Sequence, residues 1–326
     1  MRNFVAKNDF NRASTHASAR DYCRLSKHEL YELLEEEFSM EEDWGVSDDM
    51  TKPDKPPKQE VSKWDNPSRN QLINKGAFML INRLIGVLDI ESLGVPNECA
   101  GTNIVMPTFA FVFVGDLSVD PYIIYGRLNS QEQINRGASI SARTVAFWMG
   151  EALMQTDAAH SFNKALQCNK DATITVLNPT KPEGNEVTSH TFMTNADAFN
   201  EVTQITDGIR EIYGFPKNLR FYGNGPQFDM SIYETISSKA NEFDNYKAIV
   251  PWAFWDIASA RNPRDYFEAL GGNWKAIERE GAQYAKYVID KFGLTEHGIV
   301  ACKHDPVFDA LVEAYCIKTV ESKLKI

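Results

Sequence analysis

The chain has 326 residues, 45 acidic against 34 basic side chains, and a formal net charge of −11. That balance excludes a protein coating nucleic acid through a broad basic face, because such binding draws on Lys and Arg that release counterions. Cys23, Cys99, Cys168, Cys302 and Cys316 are odd in number and form no C-x-x-C pair, which argues against a disulfide framework or zinc site and fits a reducing cytoplasm.

In chain order, Met1 to Arg24 mix basic and small polar types, a composition expected to stay disordered. No apolar run of a secretory signal occurs in Met1 to Lys27. Ser26-Lys27-His28-Glu29 is a capping box, and Leu30, Leu33, Leu34 and Phe38 follow at helical spacing, so an acidic amphipathic helix is expected over about 27–42. Lys52 to Lys58, with three prolines, reads as a stiff linker. The division is therefore an N-terminal extension, 1–62, and one domain, 63–326, with its chemistry within about 84–318. The helix of the extension is a candidate surface for self-association or for a protein partner.

Leu84 to Leu88 is a short apolar run between polar residues, the pattern of a strand buried on both faces. Asp89 and Glu91 leave its end on one side, since side chains alternate. Two carboxylates there are costly to bury unless a cation neutralises them. Thr108 to Val114 and Tyr122 to Leu128 read as antiparallel strands around a Ser118-Val119-Asp120-Pro121 turn, completing a three-stranded meander. The longest apolar stretch, Ile104 to Val114, contains a proline and is too short to cross a bilayer, so no membrane association is expected.

A helix follows over Ala142 to Met154. Thr173 to Val176 and His190 to Met193 read as an inserted hairpin, and Ala196 to Tyr213 as a helix capped by Asn195 and stopped by Gly214. Leu219 to Gly223 reads as a strand, Asn224-Gly225 as a turn, and Pro226 as the first residue of a helix to Ser238, with Asp229 in its first turn where the helix dipole favours a carboxylate. The last helix spans Pro306 to Lys323, capped by Asp305. His304 and Asp309 are five apart, roughly 140° around one helix, so the histidine is expected outside it. Val307, Leu311, Ala314 and Ile317 form the packed stripe and Asp309 points off it. Phe147, Trp148, Phe254 and Trp255 are read as core, base stacking being the rarer role for aromatics at such spacing.

Four carboxylates and one histidine are the set that holds two divalent metals and a base. Each also has a plainer reading: solvated acids, a helix-start aspartate, a surface-loop histidine. Their order, D-x-E, then N-G-x-x-F-D, then H-x-x-x-x-D, resembles the DEDDh 3′-to-5′ exonucleases, which have an RNase H-like fold. Asp89 to Gly94, Ser139 to Met149, and Phe254-Trp255-Asp256 with Arg264-Asp265 are similar to the branch containing bacteriophage exonuclease A and small bacterial exoribonucleases. The chain departs from that branch in the longer segment from Lys164 to Thr194 and in extra residues between Asp256 and Arg264.

The resemblance implies an α/β fold, an RNase H-like mixed sheet flanked by helices, with the N-terminal helical extension and the inserted hairpin added. It implies two Mg²⁺ or Mn²⁺ per site held by Asp89, Glu91, Asp229 and Asp309, with His304 taking the proton from the attacking water. It also implies release of nucleoside 5′-monophosphates from 3′ ends of single-stranded DNA or RNA, in the cytoplasm (the host's, if the chain is viral). Leu93, next to the acids, is a candidate wedge under the terminal base, with Ser92 beside it. Asn224 either hydrogen-bonds the scissile end or stabilises its turn. Much of the negative excess lies between Glu29 and Asp49, so a weak grip on long duplex and a preference for single-stranded or frayed ends are expected. A catalytically silent binding module on the same fold and a phosphodiesterase for short or cyclic nucleotides are the competing readings.

Overall fold

The structure, a computed structural model, describes residues 83–150, 157–166, 170–179, 186–213 and 219–324. The expected extension over 1–62, with its helix and linker, lies outside the described residues, as do Gly214 and the end of the helix expected to reach Met154.

Among the described residues, seven strands form one mixed sheet in the order β5-β4-β3-β2-β1-β6-β7. The meander is as expected. β1 (Ile85–Glu91) pairs antiparallel with β2 (Thr108–Val114), placing Asp89 opposite Ala110 and Glu91 opposite Thr108, and β2 pairs antiparallel with β3 (Tyr122–Arg127). The hairpin read from 173 to 193 forms β4 (Ala172–Asn178) and β5 (Glu186–Phe192), which continue the sheet at the β3 edge. On the other side β6 (Arg220–Gly223) and β7 (Ile257–Ser259) run parallel to β1. β1 therefore stands where the antiparallel and parallel halves meet.

Helices cover both faces of this α/β sheet. The alternation in β2 sorts them: Phe109, Phe111 and Phe113 face one way, while Ala110, Val112 and Val114 face the other. The phenylalanine face packs on α4 (Asn195–Tyr213) and α5 (Asp229–Ala240), where Phe199 and Tyr233 meet Phe109 with ring centroids 6.1 and 5.2 Å away. Also on this face are the short helices α1 (Ser130–Asn135), α2 (Ala142–Met149) and α3 (Asp157–Leu166). Gly126 of β3 makes room there, because a Cβ would lie 2.2 Å from the Phe109 ring. The small-residue face takes α7 (Trp274–Lys291) and α8 (Pro306–Leu324), with Val307, Leu311, Ala314 and Ile317 fully buried as the expected stripe. The short α6 (Arg261–Ala269) buries none of its residues. No helix among the described residues is long and apolar enough to cross a membrane.

Three local expectations are corrected. α4 is capped by Thr194, whose Oγ1 accepts from the Asp197 N–H at 3.1 Å and donates to the Asp197 carboxylate at 2.7 Å. Asn195 instead turns inward, its amide bonding both the N–H and the C=O of Asn129. α5 begins at Asp229, three residues later than expected, because Gly225 C=O accepts from the N–H groups of both Phe228 and Asp229 and holds Pro226 in a turn. Phe254 and Trp255 are 78% and 64% exposed, on a turn leading into the edge strand β7, beyond which no described strand lies to cover them.

Candidate active site

Asp89 and Glu91 are in phase with Ile85 and Val87 of β1, so both carboxylates lie on the α8 face. Asp305 starts α8: it is 1% exposed, and its carboxylate accepts from the N–H groups of Val307, Phe308 and Val300 at 3.0, 3.3 and 2.9 Å. That anchor fixes the first turn carrying Asp309.

His304 lies outside the helix, as expected, with φ of +69°, a left-handed conformation that His tolerates better than most residues. Its N–H donates to the Asp309 carboxylate at 2.9 Å. The backbone of the expected base and the carboxylate of an expected metal ligand are thus bonded. Ligand atoms of Glu91, His304 and Asp309 lie within 4.8 Å of one another.

Asp89 stands outside that tight group but lines one cleft with Asp309. Asp229 is 4% exposed at the start of α5, with Oδ2 accepting from Gly225 N–H at 3.1 Å. Gly223 permits that close approach, since a Cβ there would be 3.0 Å from Oδ2. The cleft measures about 170 Å³, and Asn224, Arg264, Trp274, Lys303 and Glu313 also line it.

Burial dominates the electrostatics. It pushes Asp89 well above the usual carboxylate range, helped by Asp309, Glu91, Asp229 and Glu313, and does the same to Glu91, helped by Asp309, Asp305 and Asp229. Asp229 rises to about 7 through burial, against the Gly225 hydrogen bond and Arg261. Asp309 rises to about 6 through burial, against the His304 N–H and Lys303. Glu313 rises to about 8, through burial and then the charges of Asp229 and Asp309. Burial, followed by Lys303, holds His304 below the usual imidazole value. Crowded acids that resist ionisation are a donor set for hard divalent cations, whose charge reverses the repulsion. Glu91, Asp309, Asp89 and Asp229 therefore fit a divalent metal centre.

The remaining expected residues divide. Leu93 is 6% exposed within the core, with its N–H bonded to Val105 C=O and its C=O to Ser141 N–H, so it offers no surface to a base unless this loop moves. Ser92 is buried, its hydroxyl bonded to Gly94 C=O at 2.8 Å and its carbonyl accepting from the Trp148 indole at 3.3 Å. Asn224 is exposed on the cleft, its Oδ1 accepting from Arg261 Nε at 3.3 Å. Trp148 is core, as expected, stacked on Phe162 at 3.9 Å; Phe147 is partly buried, its ring edge-on to His304 at 5.6 Å.

Glu313 was missed, although it follows Asp309 by four residues and so shares its helix face. Lys303, adjacent to His304, carried no pattern of its own. Arg261, Trp274 and Glu278 belong to α6 and α7, two helices not read from the sequence. No family model matches the chain, and neither does any curated protein or solved structure.

Proposed function

We propose that the chain is a metal-dependent 3′-to-5′ exonuclease acting on single-stranded nucleic-acid ends. In the same reading, β3-β2-β1-β6-β7 is an RNase H-like core extended by the β4–β5 hairpin. The observation that carries the proposal is the clustering of acids from β1, α5 and α8: Asp89 and Asp309 line one cleft, donor atoms of Glu91, His304 and Asp309 lie within 4.8 Å of one another, and the charges of Asp309, Glu91 and Asp229 all act on Asp89. Asp89, Glu91, Asp229 and Asp309 would hold two Mg²⁺ or Mn²⁺ ions, which when bound supply positive charge to activate water and to stabilise the departing 3′ oxygen.

The chain's own residues account for the rest. A neutral imidazole can accept a proton, and burial keeps His304 neutral near pH 7. The bond from the His304 backbone N–H to Asp309 ties the loop carrying the imidazole to the acid, and the Phe147 and Trp148 rings pack edge-on to the imidazole. Asn224 can turn its amide from Arg261 to an incoming strand, and Ser92 holds the loop that follows Glu91.

A second reading has support from one distance set. The Glu91, His304 and Asp309 donor atoms are close enough for one metal to take all three, making His304 a ligand instead of a base. The deciding assay for function incubates purified protein with end-labelled single-stranded DNA, single-stranded RNA or duplex in Mn²⁺, Mg²⁺ or EDTA. Stepwise shortening from the 3′ end with metal and none with EDTA is expected. Strand binding without shortening in either metal would leave a binding module; hydrolysis confined to dinucleotides would leave a short-nucleotide phosphodiesterase.

A further inference from the structure

The acids explain how a metal would be held but not how a chain of net charge −11 holds a polyanion. The cleft itself supplies two cations. Lys303, in the loop before α8, is exposed and makes no hydrogen bond or ion pair with any described residue. Its ammonium is close enough to influence both Asp309 and His304. Arg264 reaches the same cleft from α6, and its hydrogen-bond partner among the described residues is its own neighbour, Asp265, through Nε at 3.1 Å. The two cations thus approach the acids from different elements.

Volume limits what lies between them. About 170 Å³ is well below the roughly 300–1,000 Å³ of pockets that enclose a whole small ligand. It suits a phosphate group with its cation, leaving bases outside. The wall is mixed, with Asp89, Asp309, Glu278 and Glu313 beside Arg264 and Lys303, so an anion is repelled until the acids are neutralised.

Resting on the nuclease reading above, we propose that Lys303 and Arg264 are a phosphate grip, which binds the backbone phosphates of a single strand at the cleft once the neighbouring acids have taken up divalent metal. The grip reads charge, not sequence, and gives a net-acidic protein a local anion site.

The test is equilibrium binding without turnover. Anisotropy of a labelled phosphorothioate single strand that resists hydrolysis is measured against salt concentration, in Mn²⁺ and in EDTA, for the full-length wild-type protein and for Lys303→Ala, Lys303→Arg and Arg264→Ala. Each alanine variant is expected to weaken binding several-fold in Mn²⁺. Each should also lower the steepness of log affinity against log salt by about 0.7, the value of one single-strand phosphate contact. Lys303→Arg should keep the wild-type slope. Mn²⁺ affinity by calorimetry and the melting temperature should stay at wild-type values, which separates a grip from a structural role. Wild-type slopes in both alanine variants, with cleavage intact, would overturn the grip and leave the nuclease reading standing. A wild-type protein that neither binds nor cleaves the strand in Mn²⁺ would overturn both, and equally tight binding in EDTA would overturn the dependence on metal.

Discussion

At the scale of single residues, the cleft stores repulsion that metal or mutation can release. Removing Asp89 as Asp89→Ala is expected to abolish cleavage while leaving the metal-free protein at least as stable as wild type, because one of several crowded carboxylates is gone. Turnover assays paired with thermal melts in EDTA check both halves. The pH dependence follows from the same crowding. Asp309, Asp229 and Glu313 are held at about 6, about 7 and about 8, whereas unfolded carboxylates titrate near about 4. The folded chain thus binds protons that the unfolded chain releases, so metal-free stability is highest below about pH 4 to 5 for these groups and falls as pH rises through their folded values. Melting temperature in EDTA is expected to fall between about pH 5 and about pH 8, and Glu313→Gln should flatten the fall and stabilise the metal-free protein by on the order of 1–2 kcal/mol at the alkaline end. A melt series at matched ionic strength, wild type against variant, measures this. At His304 the left-handed backbone makes Asn the informative replacement, since Asn accepts that conformation. His304→Asn should lower the rate by about a hundredfold or more with Mn²⁺ affinity retained if the residue is the base, and should weaken Mn²⁺ binding in calorimetry if it is a ligand.

At the scale of elements, α8 depends on its first turn. Asp305→Ala removes one carboxylate from three N–H groups and is expected to cost about 1–2 kcal/mol in denaturant unfolding. A loss of turnover at conditions where the variant remains folded would show that the cap also sets Asp309. α8 was legible because its signals agree: Asp305-Pro306 at the start and an apolar stripe at helical spacing. β1, β2 and β3 were legible because short apolar runs between turn residues leave few alternatives. Other boundaries depended on competition that a linear pattern does not report. Thr194 and Asn195 are both good caps, and the contact of Asn195 with Asn129, distant in the chain, decides between them. Phe254 and Trp255 look like core by residue type, but they sit beside an edge strand. Leu93, placed on an accessible turn by its position after the acids, is instead drawn inward by backbone bonds to Val105 and Ser141. α6 and α7 supply Arg264, Trp274 and Glu278 to the cleft, and their role follows only from the way α7 packs beside α8.

At the scale of the whole molecule, charge and position separate. Much of the acidic excess falls between Glu29 and Asp49, while every residue of the cleft lies at or after Asp89. Deleting residues 1–58 is therefore expected to leave metal-dependent turnover of short single strands within about twofold of wild type, with any change appearing in association measured by light scattering at matched salt. Loss of turnover in a truncated protein that still melts cooperatively would make the extension part of the site. The order of the elements has a further consequence during synthesis. Asp89 and Glu91 lie in the first described strand, but His304 and Asp309 arrive with α8, the last described helix, whose apolar stripe also covers that strand. On the nuclease reading proposed above, a ribosome-bound chain lacking α8 would hold neither His304 nor Asp309, so metal-dependent cleavage could begin only after that helix had emerged and packed on β1.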